Sequence, residues 1–184
     1  MAKGKVSPEL IEQFKQIVGE KYVYTDKDKL EPYSHDEVTD PHYMKEPQVV
    51  VLPATTEEVS KVVKLCYEND TVMVPRAAGT GLAAGAVATF GGVIISIERM
   101  NKILEIDKDN MVCVSEAGVT TSVLQDAVQK EGLFYGGDPC SGDSCFIGGN
   151  VATNVTADEA GVPTASSAVT LQPTLAATAL LNMA

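Results

Sequence analysis

QVVVLPATTEEVSKVVKLCYENDTVMVPRAAGTGLAAGA, residues 48–86, decides how the rest of the chain is read. It opens on a continuous β-branched run, Val49-Val50-Val51. Thr55 with Glu58 three residues later forms a capping box. Val59, Val62, Val63 and Cys66 then share one helical face until Asn69 and Asp70 stop the pattern. TVMVP follows as a second β-branched run. Residues 48–75 therefore predict strand, helix, strand, a βαβ unit.

The loop leaving the second strand, PRAAGTGLAAGA (75–86), carries three glycines, several alanines and one arginine. Residues without bulky side chains let successive backbone N–H groups converge on one point and form an anion site. A hydrogen bond to a charged phosphate oxygen is worth roughly 1.5–3 kcal/mol, so a nest of three or four would govern affinity for a nucleotide. Arg76 would add a compensating charge; the competing reading is a flexible surface loop. Gly79, Gly81 and Gly85 are spaced G-x-G-x-x-x-G and a strand rather than a helix follows, which disfavours a Rossmann pyridine-nucleotide site.

Upstream, Ser7-Pro8 starts an amphipathic helix whose apolar residues Leu10, Ile11, Phe14, Ile17 and Val18 end at Gly19. Residues 22–46 are polar and turn-rich, a connector with a short helical turn. Downstream, VIISI, ILEI and MVCVSE are further strands, and a helix runs from Thr120 or Thr121 to Gly132. GGDPCSGDSCFIGGNVATN (136–154) is a second glycine-rich loop, with Ser141, Ser144, Asn150, Thr153 and Asn154 able to hydrogen-bond phosphate or a flat heterocycle. The last 29 residues are rich in alanine and have no aromatic side chain. They read as a weakly held tail, with a short helix possible over 173–183.

The chain has 184 residues, 45% hydrophobic and 21% charged, which excludes wholesale disorder and fits one ordinary domain. A net charge of −11 argues against a nucleic-acid partner. No apolar run is long enough to span a membrane and the start has no signal-peptide core, so the expected compartment is the cytoplasm. Cys66, Cys113, Cys140 and Cys145 are read as reduced thiols. Cys140 and Cys145 could chelate a metal, but both histidines, His35 and His42, lie far upstream, so no metal site is assigned.

VVLPATTEEV, VPRAAGTGLAAGAV, SIERMNKILEID, EAGVTTSVLQDAV and DPCSGDSCFIGGNVATN, in that order, resemble the FAD-linked oxidase family that includes the glycolate oxidase flavoprotein subunit and D-lactate dehydrogenases. The resemblance implies an α+β FAD-binding domain of the vanillyl-alcohol-oxidase (p-cresol methylhydroxylase) type, with an N-terminal helix and connector over 1–46, the FAD-binding domain over 47–155, incomplete at its C-terminus, and an atypical tail over 156–184. It implies non-covalent FAD. The pyrophosphate would lie on the backbone of Arg76, Ala77, Ala78, Gly79, Thr80, Gly81 and Leu82, with Ser144, Gly148, Gly149, Asn150, Thr153 and Asn154 along the rest of the cofactor. Alanine stands at 77 and 84, where the family often has glycine.

The complete enzyme would oxidise a small 2-hydroxy acid and pass electrons to a partner; self-association is left open. The substrate domain and its catalytic base are expected to lie outside these 184 residues, so no catalytic residue is assigned and the chain alone is expected to be inactive. The rival reading is a non-catalytic nucleotide-binding or interaction module.

Overall fold

The computed structural model describes residues 5–153, 170–171 and 178–182. Two compact units divide the chain, Met1–Arg99 and Met100–Ala184. In the first, helix α1 (Pro8–Val18) starts where Ser7 accepts a hydrogen bond from the Leu10 N–H and ends at Gly19. Strand β1 (Val23–Tyr24) and helix α2 (Lys27–Leu30) follow, then β2 (Val49–Val51), α3 (Thr56–Glu68), β3 (Met73–Arg76) and β4 (Val93–Ser96). Thr55 caps α3 by accepting from the Glu58 N–H at 3.2 Å. The Glu58 carboxylate reaches one residue further back than a standard capping box, to the Ala54 N–H at 2.7 Å.

The sheet order is β1-β2-β4-β3, with β4 parallel to both neighbours and β1 antiparallel to β2. The expected strand–helix–strand unit is present, but β2 and β3 do not touch, because β4 pairs between them. Gly92 closes this arrangement. Its φ of +94° and the absence of a Cβ let it lie against the Val72 backbone, and its N–H donates to the Gln48 side chain at 3.2 Å.

Alternation along β2 explains its unbroken apolar run. Val49 and Val51 pack with Leu10, Phe14 and Val18 of α1 and Val62 and Cys66 of α3. Val50 and Leu52 face the opposite side, with Leu30, Ala88 and Ile94. The connector of residues 22–46 is thus more than a wrapping segment. It supplies strand β1 and covers the second face of the sheet with Tyr22, Tyr24, Leu30 and Tyr33.

The second unit contains β5 (Ile103–Asp107), β6 (Val112–Glu116), α4 (Thr121–Lys130), α5 (Ile147–Ala152), β7 (Thr170–Leu171) and β8 (Thr178–Asn182). Cys113, Val119, Leu124, Val128, Tyr135 and Ile147 form its core. The strands run β5-β6-β8-β7, all antiparallel. Two expectations need correction here. The second glycine-rich stretch is not loop throughout, since Ile147–Ala152 is helical. Within 173–183, the described residues Thr178–Asn182 form a strand paired with β6 rather than part of a helix. An isolated helix that short is marginal, and the free edge of β6 supplies backbone partners that a helix on its own would not gain.

All four cysteines are unpaired; Cys66, Cys113 and Cys145 are buried and Cys140 is exposed. Burial pushes the Cys66 and Cys113 thiols up to about 11 from an ordinary 9.0. Thiolate is the reactive form. At pH 8 a thiol reagent should therefore modify one equivalent quickly, at Cys140, and the rest only on unfolding; two or more fast equivalents in the folded protein would contradict this packing. Because the unfolded thiols ionise first, the contribution of these two residues to stability should be lost as pH rises from about 9 to about 11.

Candidate functional site

Residues 77–92 leave the carboxyl end of β3, where open α/β sheets place ligands, and return to the amino end of its parallel neighbour β4. The hydrogen bonding of this loop is one-sided. Among the described residues, no backbone N–H from Ala77 to Ala86 donates to a protein acceptor. Three of its carbonyls are used: Gly81 accepts from the Glu37 N–H at 3.1 Å, Ala84 from the Val87 N–H at 3.3 Å, and Ala86 from the Arg76 guanidinium at 3.2 Å. The residues bearing these free N–H groups are all partly or fully exposed. Two of them are left-handed, Gly79 at φ +76° and Ala84 at φ +55°. Alternation of hand aims neighbouring N–H groups together, as in an anion-binding nest.

Arg76 holds the loop from beneath. Only 7% of it is exposed. Nη1 donates to the His35 carbonyl at 2.8 Å as well as to Ala86, and Nη2 donates to the Pro32 carbonyl at 3.2 Å. Its guanidinium lies 5.5 Å from the centre of the Tyr33 ring, and the Tyr33 hydroxyl donates to Glu98 at 3.0 Å. Burial, followed by the nearby Glu98 charge, pushes the Tyr33 hydroxyl pKa up, so it remains a donor. Burial also lowers the Arg76 pKa, opposed first by the charge of Asp36. Asp36 is itself buried. One of its carboxylate oxygens accepts from the Val38 N–H at 3.0 Å, and the other has no partner among the described residues. Gly79 sits directly on the guanidinium, where a Cβ would come within 2.6 Å of Arg76 Cζ.

The second glycine-rich stretch is organised differently. The Gly148 N–H donates to Ala117 at 2.8 Å, and the N–H groups of Gly149 and Asn150 both donate to Phe146. The buried Asn150 side chain donates to Thr121 Oγ1 at 2.7 Å. Ser144 Oγ donates to the Ser141 carbonyl and Thr153 Oγ1 to the Gly149 carbonyl. These donors serve the chain's own structure, leaving oxygen lone pairs on Ser144 and Thr153. Asn154 lies outside the described residues.

Of the residues anticipated from sequence, Ala77 to Leu82 form a continuous bank of free N–H groups, and Arg76 underlies it. Tyr33, Asp36 and Thr121 were not anticipated. Tyr33 and Asp36 lie in the polar connector, where no periodicity or motif marks them. Among the described residues no cluster of His, Cys, Asp and Glu could hold a metal ion.

A family model described as FAD binding domain matches residues 47–172. The chain belongs to this FAD-binding family. It is 45% identical over 153 residues to a D-lactate dehydrogenase of Anaerostipes hadrus, covering 82% of this chain and 31% of that protein. It is 39% identical over 122 residues to glycolate oxidase subunit GlcD of Bacillus subtilis, covering 66% and 26%. The chain thus spans about a third or less of these relatives. Alkyldihydroxyacetonephosphate synthase shares the fold at a TM-score of 0.79 and 21% identity, over 98% of this chain and 44% of that one. p-Cresol methylhydroxylase shares it at 0.59 and 26% identity, over 68% and 26%. The fold is therefore the p-cresol methylhydroxylase type of FAD-binding domain, with FAD as the cofactor. A bank of unpaired N–H groups with no acidic side chain within it fits the pyrophosphate of that cofactor.

Gly79 and Gly81 provide an internally controlled test. A valine at 79 meets a left-handed backbone, worth about 1–2 kcal/mol, and the fastened guanidinium, an overpacking cost of about 1–3 kcal/mol. Gly81 has open space around it and no left-handed φ. Urea unfolding should show Gly79→Val destabilised by about 2–5 kcal/mol and Gly81→Val by under about 1 kcal/mol; equal losses would refute this account of the loop.

Proposed function

We propose that these 184 residues are the FAD-binding segment of a flavin-dependent 2-hydroxy-acid dehydrogenase of the glycolate or D-lactate type. One observation supports this placement of the cofactor: the N–H groups from Ala77 to Ala86 have no partner among the described residues, while three carbonyls of the same loop do. Residues 77–82 hold the pyrophosphate by charge-assisted hydrogen bonds. In this reading, which for these residues rests on the family resemblance, Ser144, Gly148, Gly149, Asn150, Thr153 and Asn154 border the remainder of the cofactor, and one amide hydrogen of Asn150 is held by Thr121. Bound FAD supplies a two-electron acceptor for oxidation of the hydroxy acid to its oxo acid.

The described residues contribute binding and orientation. His35 is half-buried, with its ring against the Asp36 carbonyl, and His42 is exposed beside Tyr43. We assign neither to proton transfer and propose no turnover by these residues alone. Among the described residues no helix is long and apolar enough to cross a membrane. The unpaired thiols support a reducing compartment, the cytoplasm.

Addition of FAD to the 15N-labelled chain should shift and protect the amides of residues 77–86 more than any other stretch. A flavin complex that leaves those amides unperturbed would overturn the placement. The attachment is non-covalent in this reading, because Thr80 is the strongest nucleophile in the loop, Cys145 is buried against Thr121, and the family resemblance gives neither Cys145 nor the exposed Cys140 a flavin-linking role. Acid precipitation of the flavin-loaded protein should leave the yellow colour in solution; colour in the pellet with a flavin-sized mass on a peptide would refute it.

A further inference from the structure

We propose that Arg76 is a positioning residue of the phosphate loop, fastening the loop to the connector, rather than a charge that meets the phosphates. The inference rests on the reading that residues 77–86 hold a pyrophosphate.

The geometry supports it from three sides. The guanidinium is bonded to carbonyls at both ends of the assembly: Pro32 and His35 in the connector and Ala86 at the far end of the loop. The Ala86 bond anchors the far end of the loop, and the Pro32 and His35 bonds hold the connector against it. Gly79 lies on the guanidinium, so a loop residue covers it on that side. The charge also has compensation nearby, since Asp36 is buried alongside with one carboxylate oxygen unpartnered among the described residues. A second tie, from the Glu37 N–H to the Gly81 carbonyl, joins the same two segments. The connector is therefore part of the nucleotide-binding device although no residue of it need touch the ligand.

The test titrates the chain with FAD and with ADP, which carries the pyrophosphate without the flavin, at several salt concentrations. The variants are Arg76→Lys, Arg76→Met and Tyr33→Leu. Lysine keeps the charge but cannot span the three carbonyls. Both Arg76 variants are expected to bind each probe at least tenfold more weakly, by similar factors, with the wild-type dependence on salt. Tyr33→Leu removes the ring beneath the guanidinium without changing a formal charge, and should weaken both probes at least threefold. Circular dichroism identifies the variants that remain folded, and if neither Arg76 variant folds, Tyr33→Leu decides on the same readouts. Wild-type affinity in Arg76→Lys, a shallower salt dependence in Arg76→Met, or unchanged affinity in Tyr33→Leu would each overturn the proposal. Failure of the wild-type chain to bind either probe would instead overturn the reading of the loop, and the inference with it.

Discussion

A guanidinium that is almost wholly buried has to be met by acceptors, or its desolvation costs several kcal/mol. Arg76 meets that requirement mostly with main-chain carbonyls from residues distant in sequence. Each bond from a charged donor contributes about 1.5–3 kcal/mol. The consequence is that segments far apart in the sequence are fixed to one point. The connector, the loop and the end of β3 are organised around this one cation. Gly79 is required by the same constraint, since any side chain there would collide with the group that holds the loop in place.

The two glycine-rich stretches look alike in composition and behave differently in structure. In residues 77–86 glycine and alanine leave N–H groups without protein partners. In residues 144–150 the N–H groups are instead taken up by the chain itself: Gly148 donates to Ala117, Gly149 and Asn150 donate to Phe146, and the Asn150 side chain donates to Thr121 at the start of α4. Ala84 shows how far the first loop is committed to its shape. It adopts a conformation suited to glycine, at a cost of about 1–2 kcal/mol for an L residue.

Local patterns made most of the architecture legible. Ser7-Pro8, the Thr55–Glu58 pair and the β-branched runs placed α1, α3 and strands β2, β3 and β4, because each depends on residues near one another in the chain. Features set by distant partners were not readable in this way. Val23-Tyr24 becomes a strand only because β2 offers an edge, and Ile147–Ala152 becomes helical although it contains two glycines. At the site, the small-residue loop was visible from composition. The hold that Arg76 exerts on Pro32 and His35 was not, because it acts through carbonyls that every residue possesses.

The position of β4 bears on how the chain is made. Latest in sequence among the strands of its sheet, it is a central strand, pairing with β2 on one side and β3 on the other. A nascent chain emerging from a ribosome can pair β1 with β2 early, but β3 has no strand to join until Ser96 has left the exit tunnel. The ends of the intervening loop, at opposite ends of that parallel pair, are fixed at the same step. Cradle and sheet therefore come into being together, and a translation pause before Val93 would leave an apolar β3 exposed to the cell's chaperones with its N–H bank still unformed.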